Sequence, residues 1–226
     1  MSTVPPKKKK FPVKSKILLG FLQSWFGILF INWVFQGIRG MQYKEVSFRI
    51  LLETIVLLLI YELLISSGIS SIWSFLISLL FSHTINWLFN THLWVCMRYM
   101  KFYRRNPDAL REFLRKVSSD IQQKSWLSEA VCIGSVGDKG DVTSWRSDID
   151  LRLFFGNGIL NYFCLNLYLI YLRTWALINV IPLDLYAYDD ISKLHEFKLG
   201  EGIKVIKDDL GLILKEFPNR VDSNDC

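Results

Sequence analysis

The chain has 226 residues, 51% of them hydrophobic, a mean hydropathy of +0.25 and a formal net charge of +6. That allows one globular domain plus something smaller, and it excludes a disordered chain and an ordinary all-soluble one. The bases gather at three places, Lys7 to Lys16, Arg39 to Arg49 and Arg98 to Arg105, each beside an apolar run, which argues for membrane flanks and against a nucleic-acid groove.

Residues 1–16 carry Lys7, Lys8, Lys9, Lys10, Lys14 and Lys16 with Pro5, Pro6 and Pro12, and are expected to be disordered. They form a solvated topogenic flank or a lipid-surface anchor. A signal peptide is not expected, because the apolar stretch that follows is long and lacks a small-residue cleavage site. That stretch, 17–35, has about the 20 residues a bilayer crossing needs. Trp25 and Trp33 suit interfaces, but Gln23, Ser24 and Asn32 interrupt it, so a helix lying in the interface is the alternative.

Apolar stretches 50–66 and 69–97, with Ser66-Ser67-Gly68 as a tight turn, predict a helical hairpin. Both its ends are basic and its turn is uncharged, which places Arg39 to Arg49, Arg98 to Arg105 and everything after Met97 in the cytoplasm. The first stretch fits this less easily. If it spans, the lysine tail lies outside, against the charge rule; if the tail is inside, 17–35 is interfacial or re-entrant. Glu53, Glu62, His83 and His92 fall inside the apolar stretches, where ionisable groups are functional candidates by default. Glu53 follows Arg49 by one turn and is expected to pair with it, and helix-to-helix hydrogen bonds account for the rest.

Asn106-Pro107-Asp108 is a helix start: a cap, proline at the first position and an acid in the first turn. Leu110, Phe113, Leu114, Val117 and Ile121 then recur at helical spacing, which predicts a helix packed on a sheet. Ala130 to Ile133 is a buried strand ended by Gly134-Ser135, and a loop with Gly137, Asp138, Lys139 and Gly140 follows. Its glycines have neither Walker A nor dinucleotide spacing, but they leave backbone N–H groups free to approach phosphate. From Ser147 the chain alternates. Asp148, Asp150 and Arg152 fall on one face, and Ile149, Leu151 and Leu153 on the other. Two acids on one strand face repel, so a cation is expected between them. Gly156-Asn157-Gly158 is a turn, and 159–178, though very apolar, is read as the helical crossover between two strands of one sheet. Residues 183–188 alternate again, with Asp184, Tyr186 and Tyr188 on one face.

Gly134-Ser135, then Asp148-x-Asp150 on a strand twelve residues on, then Leu183-Asp184-Leu185 on a later strand resembles the polymerase-beta-like nucleotidyltransferases in their minimal form. The resemblance covers about residues 130–190 and leaves the first hundred unexplained. It implies an α/β chain of the α+β nucleotidyltransferase type, a small mixed sheet with flanking helices, preceded here by hydrophobic, membrane-embedded helices. The expected layout is a basic tail at 1–16, membrane helices within 17–105, a nucleotidyltransferase domain at 106–218 and a flexible tail at 219–226. The resemblance further implies that Asp148, Asp150 and Asp184 bind Mg²⁺ or Mn²⁺, with Asp184 on the second metal or taking the proton. Gly134, Ser135, Lys139, Ser147 and Arg152 become the candidate nucleotide contacts. Lys139 has a solvated loop lysine as its alternative, and Arg152 a simple neutraliser of the acid face.

The function expected is a membrane-bound enzyme moving a nucleoside monophosphate from an NTP to a hydroxyl or phosphate, with release of pyrophosphate. Its catalytic domain faces the cytoplasm. The acceptor is a lipid-linked or surface-glycan precursor by analogy of architecture. The alternatives are modification of a membrane protein and a non-catalytic nucleotide-binding scaffold. Expected partners are NTP, membrane lipid, a lipid-linked or glycan acceptor and a second copy through the hydrophobic helices, with no nucleic acid. His195 reads as structural, and Cys96, Cys132, Cys164 and Cys226 have no metal or redox spacing and read as reduced.

Overall fold

A computed structural model describes residues 13–36, 38–90, 92–100, 103, 106–139, 142, 147–156, 158–197 and 202–221, apart from the side chains of Arg39, His92, Ser135, Asp138 and Lys139. The lysine cluster Lys7 to Lys10, Arg104, Arg105, Gly140 and Cys226 lie outside the described residues.

Stretch 17–35 is not one helix. It forms α1 (Lys16–Gln23) and α2 (Trp25–Phe35), set at 82° to each other. Ser24 makes the break: its backbone is extended at ψ 157°, and its hydroxyl caps α2 by accepting from the Gly27 N–H at 3.1 Å. Gly27 lets the segments meet, because a Cβ there would lie 2.1 Å from the Phe21 carbonyl oxygen. The bent pair follows the re-entrant or interfacial alternative better than a straight span.

Helix α3 (Tyr43–Ser66) begins two turns earlier than the apolar run suggests, and α4 (Ser71–Phe89) returns along it after the Gly68 turn, where φ is +83°. Ser74, Ser78 and Ser82 occur once per turn of α4 and are fully buried, so the hairpin helices approach closely. The third stretch is also broken: α4 stops at Phe89 and α5 (His92–Met97) follows. Among the described residues only α4 is long and apolar enough by itself to cross a membrane; α1 and α2 pass the same test only as a bent pair.

The expected Glu53–Arg49 pairing does not form. Arg49 reaches back to Glu45 at 2.7 Å, and Glu53 crosses to α4, where it meets His83 Nδ1 at 2.9 Å and accepts from Asn86 Nδ2 at 2.6 Å. Both arrangements are one helical turn from Arg49; the one that wins gives Glu53 two partners across the hairpin.

Helix α6 (Pro107–Gln122) starts on the Asn106 cap and buries Leu110, Phe113, Leu114, Val117 and Ile121, the five residues marked by the periodicity. Strand β1 (Leu127–Ile133) runs into a short helix, α7 (Gly134–Lys139), where an open loop was expected. Strand β2 (Ile149–Phe155), the crossover helix α8 (Ile159–Ile178) and β3 (Leu183–Tyr188) follow, then a 3₁₀ segment (Ile191–Glu196), β4 (Lys204–Asp208) and α9 (Leu212–Glu216). The sheet order is β3-β2-β1-β4, with β2 and β3 parallel and β1 antiparallel to both neighbours. Ile149, Leu151, Leu153, Leu183 and Leu185 face the core shared with α6 and α8. Tyr186, Tyr188 and Phe154 face a second cluster closed by Leu194, Ile203, Ile213 and Phe217. The mixed α+β architecture with a small four-stranded sheet is as expected. Of the expected flexible tail, 219–221 are described and are tied down: Val221 bridges to Ile203, and Arg220 Nη1 donates to the Leu194 carbonyl at 3.2 Å; 222–226 lie outside the described residues.

The helical hairpin is built into the sheet domain. Arg173 of α8, buried, donates to Glu45 of α3 at 2.7 Å and to the Leu185 carbonyl of β3. Glu45 thus sits between two guanidiniums, Arg173 and Arg49. Around this triad Lys44 pairs with Asp189 at 2.9 Å, Tyr188 Oη donates to the Gly40 carbonyl at 3.0 Å and Trp94 Nε1 donates to the Leu177 carbonyl at 2.9 Å. Removing the shared acid leaves two desolvated cations facing each other. Glu45→Gln is expected to cost about 3–5 kcal/mol and to lower the thermal midpoint of the detergent-solubilised chain, whereas Glu62→Gln, outside the triad, leaves it unchanged.

Candidate active site

Parallel pairing of β2 with β3 sets Asp150 directly beside Asp184. Adjacent strands lie about 4.8 Å apart, so two in-register side chains on one face are neighbours. Asp148 lies two residues before Asp150, just ahead of the strand. The turn that ends β1 closes the site from a third side: Ile133 pairs with Asp150, and Gly134 has φ +68°. A Cβ on Gly134 would stand 2.6 Å from Asp150 Oδ2, so only glycine brings this backbone against the carboxylate.

The electrostatics follow from that crowding. Asp150 is held well above the ordinary carboxyl range, first by burial and then by the charges of Asp148 and Asp184, with Arg152 and Arg98 opposing. Arg152 Nη2 bonds Asp184 Oδ2 at 3.1 Å and stands 4.0 Å from Asp150 Oδ1, while Nη1 donates to the Leu151 and Asp184 carbonyls. Its guanidinium lies between the rings of Tyr186 and Phe197. Burial alone would lower its pKa; the facing acids more than reverse that. Arg152 is therefore committed to the acids and carbonyls around it. The neutralising reading describes these contacts; a phosphate contact would need it to exchange one of them.

The cation on Asp148 comes from elsewhere. Arg98 Nη1 forms a close ion pair with Asp148 Oδ2, and its other Nη donates to Tyr99 Oη. Burial would lower the Arg98 pKa, but Asp148 outweighs it and holds the guanidinium above its usual range. Arg98 was grouped with the basic flank of the hairpin. Its part in the site is not visible in sequence, since fifty residues separate it from Asp148 and nothing in the intervening pattern pairs them.

Of the other candidates, Ser147 is buried beside Asp148. Ser135 and Lys139 lie on α7, which starts at the Gly134 turn, but their side chains lie outside the described residues. His195 is exposed and meets Glu216 at 2.8 Å, away from the acids. Cys132 is buried on the opposite face of the sheet, and burial, with the charge of Asp150, pushes its thiol up to about 12, so it is inert at neutral pH.

Among the described residues no three acid, histidine or cysteine side chains lie close enough to hold one ion as they stand. The geometry shows why: the outer two acids are turned to Arg98 and Arg152. The donors themselves suit a hard divalent cation, being carboxylate oxygens, and the central Asp150 is the desolvated, repelled group that such a cation would relieve. No protein-family model, curated protein or solved structure matches the chain.

Gly134→Ala tests the turn. The strain of a positive φ and the overlap with Asp150 are expected to cost about 1–3 kcal/mol, read as a lowered thermal midpoint.

Proposed function

We propose that this chain is a membrane-bound nucleotidyltransferase of the polymerase-beta-like type, acting on an acceptor at the membrane surface. The observation that carries the reading is the in-register pairing of Asp150 and Asp184 beside Asp148 and the Gly134 turn. Its lipid-facing part rests on α4 and on the apolar outer faces of α3 and α4, where Leu59, Leu63, Ile72 and Trp73 are more than 60% exposed. Lys44 and Arg98, at the two ends of the hairpin, both dock on the sheet domain, so the acids sit on the same side as both ends. A cytoplasmic side supplies the NTP.

Asp148, Asp150 and Asp184 would hold Mg²⁺ or Mn²⁺. When bound, such a metal neutralises phosphate charge and lowers the pKa of an acceptor hydroxyl. The chain's own residues do the remaining work. The Gly134 turn brings backbone against the site where terminal phosphates belong. Arg98, released from Asp148, would exchange that carboxylate for a phosphate of the incoming nucleotide. Arg152 holds the Asp184 carboxylate in place. Tyr186 and Phe197 shield that ion pair from water and so strengthen it. The acceptor oxygen attacks the α-phosphorus, the bond to the bridging oxygen breaks, pyrophosphate leaves and the acceptor proton passes to a carboxylate or to water.

Incubating the purified chain and native membranes with α-labelled NTPs tests this. Label is expected in the lipid fraction; label in a protein band would favour the protein-modifier reading. Asp150→Asn is expected to reduce transfer at least ~10³-fold, about 4 kcal/mol. Transfer retained by Asp150→Asn and by Asp184→Asn would overturn the assignment.

A second reading, a non-catalytic nucleotide-binding subunit, draws on the arginines already paired with Asp148 and Asp184. Arg98→Gln separates the two. In an enzyme it raises KM for NTP about tenfold and leaves Mg²⁺ affinity equal or tighter, because Asp148 is freed. In a scaffold neither the wild type nor the variant transfers label, although both bind nucleotide.

A further inference from the structure

The bent pair α1–α2 takes no part in the chemistry of the acids. Its helices meet at 82°, so at most one of them can run along a membrane normal. Neither is long enough to cross: α1 has 8 residues and α2 has 11. That is about 12 and 17 Å, against roughly 30 Å of hydrocarbon. Trp33 Nε1 donates to Thr84 Oγ1 at 3.2 Å, Trp87 Nε1 donates to Asn32 Oδ1 at 2.8 Å, and α2 packs on α5. Thr84 and Trp87 belong to the last two turns of α4, and α5 leads to Arg98 on Asp148. The pair therefore sits at the sheet-domain end of the hairpin, away from the Gly68 turn.

Its two sides differ. Leu22, Gly27 and Ile28 are buried against the rest of the chain. The other side is open and apolar. Ile17 is 89% exposed and Trp25 64%, and Leu18, Phe21 and Phe26 are exposed with them. Ile17, Leu18 and Phe21 share one face of α1. That face continues across the bend, because the Phe26 ring lies 6.1 Å from both the Phe21 and the Trp25 rings, edge to face. Lys14 and Lys16, just ahead of it, are exposed. Lys7, Lys8, Lys9 and Lys10 precede them in the sequence, and no acid occurs before Glu45. An apolar face edged by bases suits a lipid–water interface, and tryptophan suits the headgroup level. A nucleic acid or an acidic protein would meet the lysines but leave the apolar face in water. An anionic bilayer surface meets both.

We infer that α1 and the first turn of α2 lie in the plane of the membrane surface, on the side of the acids. Ile17, Leu18, Phe21, Trp25 and Phe26 enter the acyl boundary, and the lysines ahead of α1 engage the headgroups of anionic phospholipid. This places the basic tail on the same side as the basic ends of the hairpin, as the charge rule requires. The inference rests on the membrane part of the reading above and not on nucleotide transfer.

The test uses no nucleotide, so its failure is distinct from failure of the enzyme assignment. Hydrogen exchange of the full chain is followed by peptide mass spectrometry in two kinds of nanodisc, phosphatidylcholine alone and an equal mixture of phosphatidylcholine and phosphatidylglycerol. A helix as short as α1 exchanges fast unless something covers it. Peptide 16–23 is expected to exchange about tenfold more slowly on the anionic discs, and raised salt is expected to remove most of that difference. The α6 and α4 peptides are expected to exchange alike on both. Replacing Lys7 to Lys10, Lys14 and Lys16 by glutamine is expected to abolish the lipid difference. Phe21→Gln, which keeps the lysines, is expected to weaken protection on both discs. Equal exchange of 16–23 on the two discs overturns the proposal, whether fast, which leaves α1 in water, or slow, which buries it irrespective of headgroup. So does protection that follows the number of chains per disc and not the lipid charge, which would mean that a second copy covers the face. Fast exchange throughout α4 as well would overturn the membrane reading with it.

Discussion

Carboxylates side by side on adjacent strands repel, and the rest of this molecule is arranged around supplying cations to them. Asp150 and Asp184 are brought into register by the parallel pairing of β2 and β3, and Asp148 adds a third charge. Asp150 is partly buried, so the repulsion is screened less than it would be in open water. The chain answers with two arginines of different origin. Arg152 comes from the same strand and is pinned between Tyr186 and Phe197, whereas Arg98 arrives from the end of the hairpin. One is a fixed counter-ion from the sheet and the other comes from the end of the helical hairpin.

That difference links the two halves of the chain physically. Here Arg98 contacts an acid of the site, Glu45 of α3 holds Arg173 of the crossover helix, and Arg173 in turn holds the backbone of β3. A shift of α3 relative to α8 would be felt at Leu185, the residue after Asp184. The Arg49–Glu45–Arg173 triad is buried, and a buried triad with one acid and two bases is a poor source of stability but a demanding one in geometry. It specifies how the hairpin docks.

The apolar surface is accounted for in the same terms. The hairpin packs inward through small residues, Ser74, Ser78 and Ser82, and turns its large ones outward. Close packing and the Glu53–His83–Asn86 hydrogen bonds join the two helices. The same logic explains why α8 could be so apolar and still be a crossover: Leu165, Leu169 and Leu172 meet the sheet, while Ile159, Leu160 and Leu167 face away from it.

What the sequence determined alone was whatever depends on neighbours within a few residues. Period-two alternation put Asp148, Asp150 and Arg152 opposite Ile149, Leu151 and Leu153, because a strand leaves no other choice. The Asn106 cap and the 3.6-residue spacing of Leu110 to Ile121 set α6, and two strands of one sheet required 159–178 to be the helix between them. Tertiary structure decided what depends on distant residues of similar propensity competing for one partner. Arg49 had an acid one turn away on either side, and the partners of Glu53 on α4 settled which it took. Ser24 breaks an apolar run: its hydroxyl caps α2, and Gly27 lets α2 meet the Phe21 backbone at the bend. Arg98 found Asp148, fifty residues on, because a desolvated carboxylate takes the nearest cation in space, and nearness in space is not written in the spacing along the chain.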